Sequence, residues 1–338
     1  MCRPYAHGMN LDQADVDAIV ESVDLELLDR NLYRGHPVYW ERGRLFGGLV
    51  AAQALSAAYQ TIDGIGVHSL HSYFLRPGDP EIPVIYDVDP IRDGRSFATR
   101  RVVARQRGEA IYNLSASFHK VEDGFEHQAE MPSVAPPEDS PGPEDFGLSP
   151  RDYIPRFWQP KGVPVEFRHF HAPSDWQPGI SERRIWIRMN GTLPDDPVVH
   201  RLALTYLSDL SLLSTAVRMH VPSFENIMAA SLDHSIWFHR EFRADEWLLY
   251  STSSPSANGA RGFNLGQFFR ADGTLVASTA QEGLMRDLTR PKPTRKPNGN
   301  LGGSSIKCGL PLVIDGQFVP VLHGDPPMRL LDARGRRL

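Results

Sequence analysis

The chain has 338 residues, a formal net charge of −5 with both signs well mixed, and two cysteines, Cys2 and Cys308, near its opposite ends. That length allows two domains or one large one. The charge argues against a broad nucleic-acid surface and a basic membrane footprint, though not against a small anion pocket, and two cysteines in so long a chain exclude a disulfide scaffold and suggest a reducing compartment.

The first two dozen residues are polar, with one short helix expected from Asp12 to Val23 and little else to tie them down. LFGGLVAAQALSAAYQTI, Leu45 to Ile62, reads as a helix of small apolar residues entered through Gly47-Gly48. Four strands are expected next: HSLHSYFL (His68–Leu75), closed by Arg76-Pro77-Gly78, then IPVIYDVDPI, SFATRRVVARQ and, after a turn at Arg107-Gly108, AIYNLSASFH. Their alternation and Gly/Pro punctuation predict an antiparallel meander. Met131 to Pro178 is rich in Pro, Asp and Glu, and PSVAPPEDSPGPED within it reads as a linker. VEFRHF and RRIWIRM read as strands.

The chain is organised around Val198 to Val217, VVHRLALTYLSDLSLLSTAV. Its apolar residues fall on nearly all sides of a helix, as in an element surrounded by others. Thr, Ser, His and Arg within it argue against a membrane span. Asp209 sits in the middle, with Ser208 beside it. A carboxylate there is costly unless it is paired or used. After this helix SIWFHREF, EWLLYSTSS, RGFNLGQFFR and LVASTAQEGLMR form a second meander.

The two halves repeat. His71-Ser72 matches His234-Ser235, and GRSFATRRVVARQRGEAIYNLSASF runs parallel to ARGFNLGQFFRADGTLVASTAQEG, at an offset of about 163 to 166 residues. Each half is an apolar helix followed by a strand meander. The simplest architecture is a helix gripped by a curved antiparallel sheet, made twice, with the two sheets joined edge to edge. From about Asp287 the repeat ends. RPKPTRKPNGNLGGSS is basic and linker-like, and Asp315-Gly316 between two apolar runs predicts a hairpin in a tail that either docks or extends freely.

No apolar run reaches the roughly 18 residues of a membrane helix, no signal-peptide core is present, and Arg336-Arg337-Leu338 differs from a Ser-Lys-Leu peroxisomal address. A soluble, cytoplasmic protein is the expectation. Gly-x-Ser-x-Gly, Gly-x-Gly-x-x-Gly, Walker A, His-Glu-x-x-His and Cys-x-x-Cys motifs are missing, so hydrolase-elbow, nucleotide-loop and zinc chemistries lack support. The pairs His169/His171 and His234/His239 read as surface or satisfied core histidines. What remains is polar residues set in apolar segments of the second half: Asp209 in the helix, Ser231 ahead of LDHSIWFH, and Gln281 in the last strand. The first-half counterpart of Gln281 is Ala116 or Ser117, neither with an amide.

LYRGHPVYWERGRLFGGLVAAQAL, VHSLHSYFLRPGD, DGRSFATRRVVARQRG, TYLSDLSLL, SLDHSIWFHREFRADEWLLY, ANGARGF and LVASTAQEGLMR, in this order over Leu25 to Arg286, resemble the acyl-CoA thioesterase II family of bacterial and peroxisomal enzymes. The resemblance implies an α+β double hotdog and hydrolysis of acyl-CoA to a free fatty acid and CoA. It implies catalytic roles for Asp209, Ser231 and Gln281; the hydroxyl at 231 comes from Ser where many members have Thr. The division then expected is 1–22 an N-terminal extension, 23–130 the first hotdog, 131–163 a Pro-rich linker, 164–288 the second hotdog with the polar site, and 289–338 a C-terminal extension with a hairpin. No cofactor and no metal are expected. Acyl-CoA is the expected partner, without nucleic acid or membrane. Because hotdog units commonly pair, a homo-oligomer is expected, either a dimer or a dimer of dimers.

The residue types suit that chemistry. Thioester hydrolysis needs an oriented water, a group to take its proton, and donors for the oxyanion. Asp209 can accept the proton while Ser231 and Gln281 hold the water. Burial should raise the pKa of Asp209 and the two hydrogen bonds lower it, with no net direction readable from sequence. Gly47-Gly48 suits either a backbone oxyanion donor or tight helix–sheet packing. Arg100, Arg101 and Arg261 are candidates for the phosphates of CoA, against plain surface roles. The rivals are a hotdog hydratase or dehydratase acting on enoyl-CoA and a non-catalytic acyl-CoA-binding protein. The first usually pairs its carboxylate with a His, yet neither His200 nor His220 shares the helix face of Asp209. The second is disfavoured because all three polar residues are present.

Overall fold

A computed structural model describes residues 13–38, 44–146, 164–169, 178–221, 224, 226–290, 312–314 and 317–319. It divides into two units, Met1–Thr289 and Arg290–Leu338. The first half of the larger unit contains α1 (Gln13–Val23), β1 (Glu26–Asp29), β2 (Leu32–Gly35), α2 (Gly47–Tyr59), β3 (Gly66–Phe74), β4 (Val84–Asp93), β5 (Phe97–Gln106) and β6 (Glu109–His119). Its second half contains β7 (Val165–His169), β8 (Glu182–Met189), α3 (Pro197–Ser208), α4 (Leu212–Arg218), β9 (Ile227–Ser231), β10 (Asp233–Phe238), β11 (Leu248–Asn258), β12 (Arg261–Arg270) and β13 (Leu275–Asp287).

Among the described residues thirteen strands make one sheet in the order β1-β2-β4-β5-β6-β3-β10-β13-β12-β11-β8-β7, with β9 also on β13. Every pairing is antiparallel, and β3 and β10 join the halves edge to edge. Neither half therefore leaves a bare edge at the seam. β9 and β10 lie end to end along β13: Ser231 faces Gly283, and Ser235 faces Ala280. The bend between them is held by Leu232, whose N–H donates to the Glu282 carbonyl at 2.9 Å and whose carbonyl accepts from Phe74 N–H at 2.9 Å. This bend brings Ser231 and His234 beside Gln281.

α2 is buried without a break from Gly48 to Ala58. Its Ala-rich sequence gives both helix propensity and a thin cylinder that can pack between the sheet and α3. The one amide in it, Gln53, is satisfied: it donates to the carbonyls of Ser22 and His36 at 2.7 and 2.9 Å and accepts from Tyr86 at 2.7 Å. α3 begins with Pro197 in its first turn and with Asp196 as N-cap, accepting from Val198 N–H at 2.8 Å.

Several expectations are corrected here. The helix expected over Val198–Val217 is broken: α3 ends at Ser208, Asp209 is its C-cap, and α4 starts at Leu212. Asp and Ser hydrogen-bond nearby backbone and so favour helix ends over helix interiors. The hydroxyl of Ser208, the last residue of α3, for instance, donates to the Thr205 carbonyl at 2.9 Å. The N-terminal helix is tied down, with Val16, Ile19 and Val23 buried and Gln13 donating to the Thr192 carbonyl at 2.9 Å. Sequence periodicity did not reveal β1, β2 and β9, which have only four or five residues each and too little alternation to register. The Pro-rich stretch forms two 3₁₀ turns, Pro137–Asp139 and Pro143–Phe146, and Trp186 of β8 donates to the Ala135 carbonyl at 2.9 Å.

The internal repeat also changes in one respect. Equating His71 with His234 would place both on one face of the sheet, but His71 is exposed and His234 is buried. Side chains alternate faces along a strand, so the offset between β3 and β10 must be even. His71 then corresponds to Ser235, 164 residues on, and these two lie opposite each other with Nδ1 and Oγ 3.1 Å apart. In β6 the inward counterpart of Gln281 is the buried Ala116, since Ser117 is only half-buried on the other face.

In the smaller unit β14 (Leu312–Ile314) pairs antiparallel with β15 (Gln317–Val319). The expected turn residues Asp315 and Gly316 lie outside the described residues.

Candidate active site

Three elements of the second half converge on one carboxylate. Asp209 ends α3, Ser231 ends β9, and Gln281 lies in the middle of β13. Oδ1 of Asp209 accepts from Gln281 Nε2 at 2.7 Å and from Ser231 Oγ at 3.2 Å. Asp209 and Gln281 are buried, whereas Ser231 is half-buried and so lies on the solvent side of the carboxylate.

A third donor comes from the first half. α2 has no side-chain N-cap, because the cap position is Phe46. The first N–H groups of a helix lack intrahelical partners and carry its positive dipole end. Gly48 N–H meets the carboxylate of Asp209, which thus caps α2 from the neighbouring helix. The two glycines make room for this. A Cβ on Gly47 would stand 2.7 Å from Asp209 Oδ2 and 2.6 Å from the Phe74 ring, and one on Gly48 would stand 2.6 Å from the Tyr206 carbonyl. Gly48 N–H is thus directed at Asp209, and the close approach of two helices gives both glycines a packing reason. Phe74 and Tyr112, with ring centroids 5.1 Å apart, bring an apolar wall from the first half to the same place.

Burial pushes the pKa of Asp209 up to about 6, while the bonds from Gln281, Ser231 and Gly48 oppose the rise. Desolvation wins over three donors, and the result is a carboxylate that is ionised at neutral pH yet basic enough to take a proton.

His234 belongs to this cluster as well. The Gln281 amide nitrogen lies 3.2 Å from its Nδ1, and Ser208 Oγ lies 2.8 Å from its Nε2. An amide nitrogen only donates, so Nδ1 accepts and the ring proton is on Nε2. Nε2–H then donates to Ser208 Oγ, which donates in turn to the Thr205 carbonyl at 2.9 Å. Burial drives the pKa of His234 down to about 4, consistent with a neutral ring. The sequence reading treated His234 as a surface or core histidine. The missed signal is in β10, where His234 shares the buried face with Ile236 and Phe238 at a spacing of two.

The arginines do not gather at this cluster. Arg100 is buried and fully engaged: it donates to Thr61 Oγ1 and carbonyl, to the carbonyls of Arg92 and Thr99, and to Asp93 at 2.6 Å. All five guanidinium N–H groups are engaged, and none is left over for a phosphate. Arg101 and Arg261 are exposed and pair with Asp89 at 2.8 Å and Glu282 at 2.9 Å. His200 accepts from Ala244 N–H at 3.1 Å and takes no part in the cluster. His239 is 2.9 Å from Ser278 Oγ, and His171 lies outside the described residues. Among the described residues no group of three or more His, Cys, Asp and Glu side chains is placed to hold a metal ion. None of the described helices is long and apolar enough to cross a membrane.

Two family models match the chain. One described as acyl-CoA thioesterase covers residues 168–284, and one described as acyl-CoA thioesterase N-terminal domain covers 36–119. Acyl-coenzyme A thioesterase 8 of Mus musculus is 39% identical over 83% of this chain and 94% of its own. A crystal structure of acyl-CoA thioesterase II TesB2 from Mycobacterium marinum is 45% identical, covers 80% of this chain and 98% of its own, and has a TM-score of 0.68. A hot dog fold protein from Alicyclobacillus acidocaldarius shares the fold at 21% identity, with a TM-score of 0.67 over 81% of this chain and 99% of its own. The fold is a double hotdog.

Proposed function

This chain belongs to the acyl-CoA thioesterase family and is a thioester hydrolase acting on acyl-CoA, and we propose that Asp209, Ser231 and Gln281 carry out the hydrolysis through a water that they hold and activate. The observation that supports this most is the convergence of Gln281 and Ser231 on one buried Asp209 oxygen.

Asp209 takes a proton from the water as its oxygen attacks the thioester carbonyl. The tetrahedral intermediate collapses with cleavage of the C–S bond, and the departing thiolate recovers the proton from Asp209. The products are a carboxylic acid and CoA thiol. Gln281 Oε1 is buried and has no hydrogen-bond partner among the described residues, which suits an acceptor for one O–H of that water. The water's two O–H groups are then taken by Asp209 and Gln281 Oε1, and Ser231, by donating to Asp209 Oδ1, fixes the carboxylate that receives the proton. His234 has both ring nitrogens engaged and, with its pKa pushed down to about 4 by burial, is a weak base, which disfavours the carboxylate–histidine pair of a hydratase.

Free-thiol release from acyl-CoA, followed with a thiol reagent, tests the reaction. Rapid quench with intact-protein mass spectrometry tests the nucleophile. No acyl adduct is expected; an acyl group on Ser231 would replace the direct-water mechanism with covalent catalysis.

A further inference from the structure

We infer that His234 is a positioning residue for the hydrolytic water, because it sets which end of the Gln281 amide faces Asp209. The inference rests on the role proposed above for Gln281. A primary amide can be turned end for end at almost no cost in shape, so its polarity is decided by its neighbours. Here both N–H groups are claimed, one by Asp209 Oδ1 at 2.7 Å and one by His234 Nδ1 at 3.2 Å. The reversed amide would set its oxygen against a carboxylate.

Asp209 alone enforces that choice only while it is ionised, and it loses its charge in every cycle when it takes the proton from the water. An Asp209 carboxylic acid can donate to Oε1 as easily as it accepts from Nε2, so the carboxyl group then no longer discriminates. His234 continues to discriminate. Its Nε2–H is pinned to Ser208 Oγ at 2.8 Å, and Ser208 is itself pinned to the Thr205 carbonyl at 2.9 Å, so Nδ1 stays an acceptor. The backbone at this point is held too: Tyr250 donates to the Ser208 carbonyl at 3.0 Å. The chain from Thr205 through Ser208 and His234 to Gln281 thus keeps Oε1 free, an acceptor buried and unpartnered among the described residues. The first half supports this assignment by contrast. At the positions of His234 and Gln281 it has Leu70 and Ala116, both buried and apolar.

Substitutions at 234 separate positioning from packing. His234→Asn puts an amide oxygen near the place of Nδ1 and keeps the acceptor. His234→Gln reaches toward Ser208 and loses it, and His234→Leu loses both. Each is made in the wild-type and Gln281→Ala backgrounds and assayed on folded protein. His234→Leu and His234→Gln should lower kcat by about 10- to 100-fold with KM changed less than about twofold, and His234→Asn should stay within about threefold of wild type. In the Gln281→Ala background, where there is no amide to orient, His234→Leu should cost less than about twofold more. Equal kcat for the Asn and Leu variants, or the same fold-loss in both backgrounds, would overturn the inference. A Gln281→Ala enzyme with full kcat would instead remove the parent reading of Gln281, and this inference with it. If the Leu variant does not fold, ¹⁵N-histidine NMR of the wild-type enzyme decides: His234 should be neutral with its proton on Nε2, and an Nδ1–H tautomer or an imidazolium at neutral pH contradicts the assignment.

Discussion

Gln281 donates to Asp209 across 2.7 Å, linking the middle of a strand to the end of a helix 72 residues earlier. The carboxylate receives this bond in a place that burial makes hostile to charge, and its pKa settles at about 6. The same contact therefore holds the base in position and keeps it ionised at neutral pH. The consequences can be measured.

Asp209→Asn keeps the shape of the side chain but cannot take a proton. General-base catalysis typically contributes 10²–10⁴-fold, so kcat should fall by about that factor while KM for acyl-CoA changes little. Steady-state kinetics on protein with wild-type circular dichroism provide the check. Full activity in a folded but less stable Asn variant would make Asp209 a structural residue.

The acid limb of the kcat profile in the wild-type enzyme should have an apparent pKa near 6, set by Asp209. Gln281→Ala removes the first of the donors that oppose the rise, so its acid limb should move to higher pH. Its kcat on the plateau should fall, but by less than in Asp209→Asn, because orientation is lost and the proton acceptor is kept. An unmoved acid limb in Gln281→Ala would break the link between this bond and the base.

Stability should change with pH in a defined direction. The folded-state pKa of Asp209 lies near 6, above the 3.8 of the unfolded chain. Between these values the folded state holds a proton that the unfolded state has given up, so stability falls as pH rises. Over that window the wild-type enzyme should lose up to about 3 kcal/mol relative to Asp209→Asn. Denaturant titrations of both proteins at pH 4 and 7 give the difference, which cancels any constant effect of the Asn side chain.

Gly47→Ala should impair folding and turnover together. Its Cβ would meet Phe74 at 2.6 Å and Asp209 Oδ2 at 2.7 Å, and the buried Asp209 has no solvent to retreat into. Overpacking of this kind costs about 1–3 kcal/mol. Thermal melts and kcat should both drop, and a variant with normal values for both would refute the close approach of α2 to the end of α3.

Arg100→Leu should lower thermal stability and leave KM for acyl-CoA alone. It removes five hydrogen bonds from a buried guanidinium, a loss of about 1–3 kcal/mol. A raised KM without a fall in melting temperature would return Arg100 to the substrate site.

Much of this molecule is set by short-range pattern. The alternation of β5 and β6, the small apolar residues of α2 and the breakpoint at Arg107-Gly108 arise from residues within a few positions of one another, and the duplication from the likeness of two stretches about 165 residues apart, so all are legible along the chain. So were Asp209, Ser231 and Gln281, as polar side chains in apolar settings and through their resemblance to a known family. The three-dimensional structure alone decided what those residues touch. Gly48 and Asp209 meet because the N-terminus of α2 packs against the end of α3, and no periodicity encodes that crossing. The sequence offered Arg100 as a phosphate ligand, but the fold closes Thr61, Arg92 and Asp93 around it and uses every donor. His234 looked like any other histidine until the bend at Leu232 set it between Ser208 and Gln281. Hydrogen bonds reach only about 3 Å, so the partners of a buried polar group are fixed by which elements pack together, and that is a property of the whole fold.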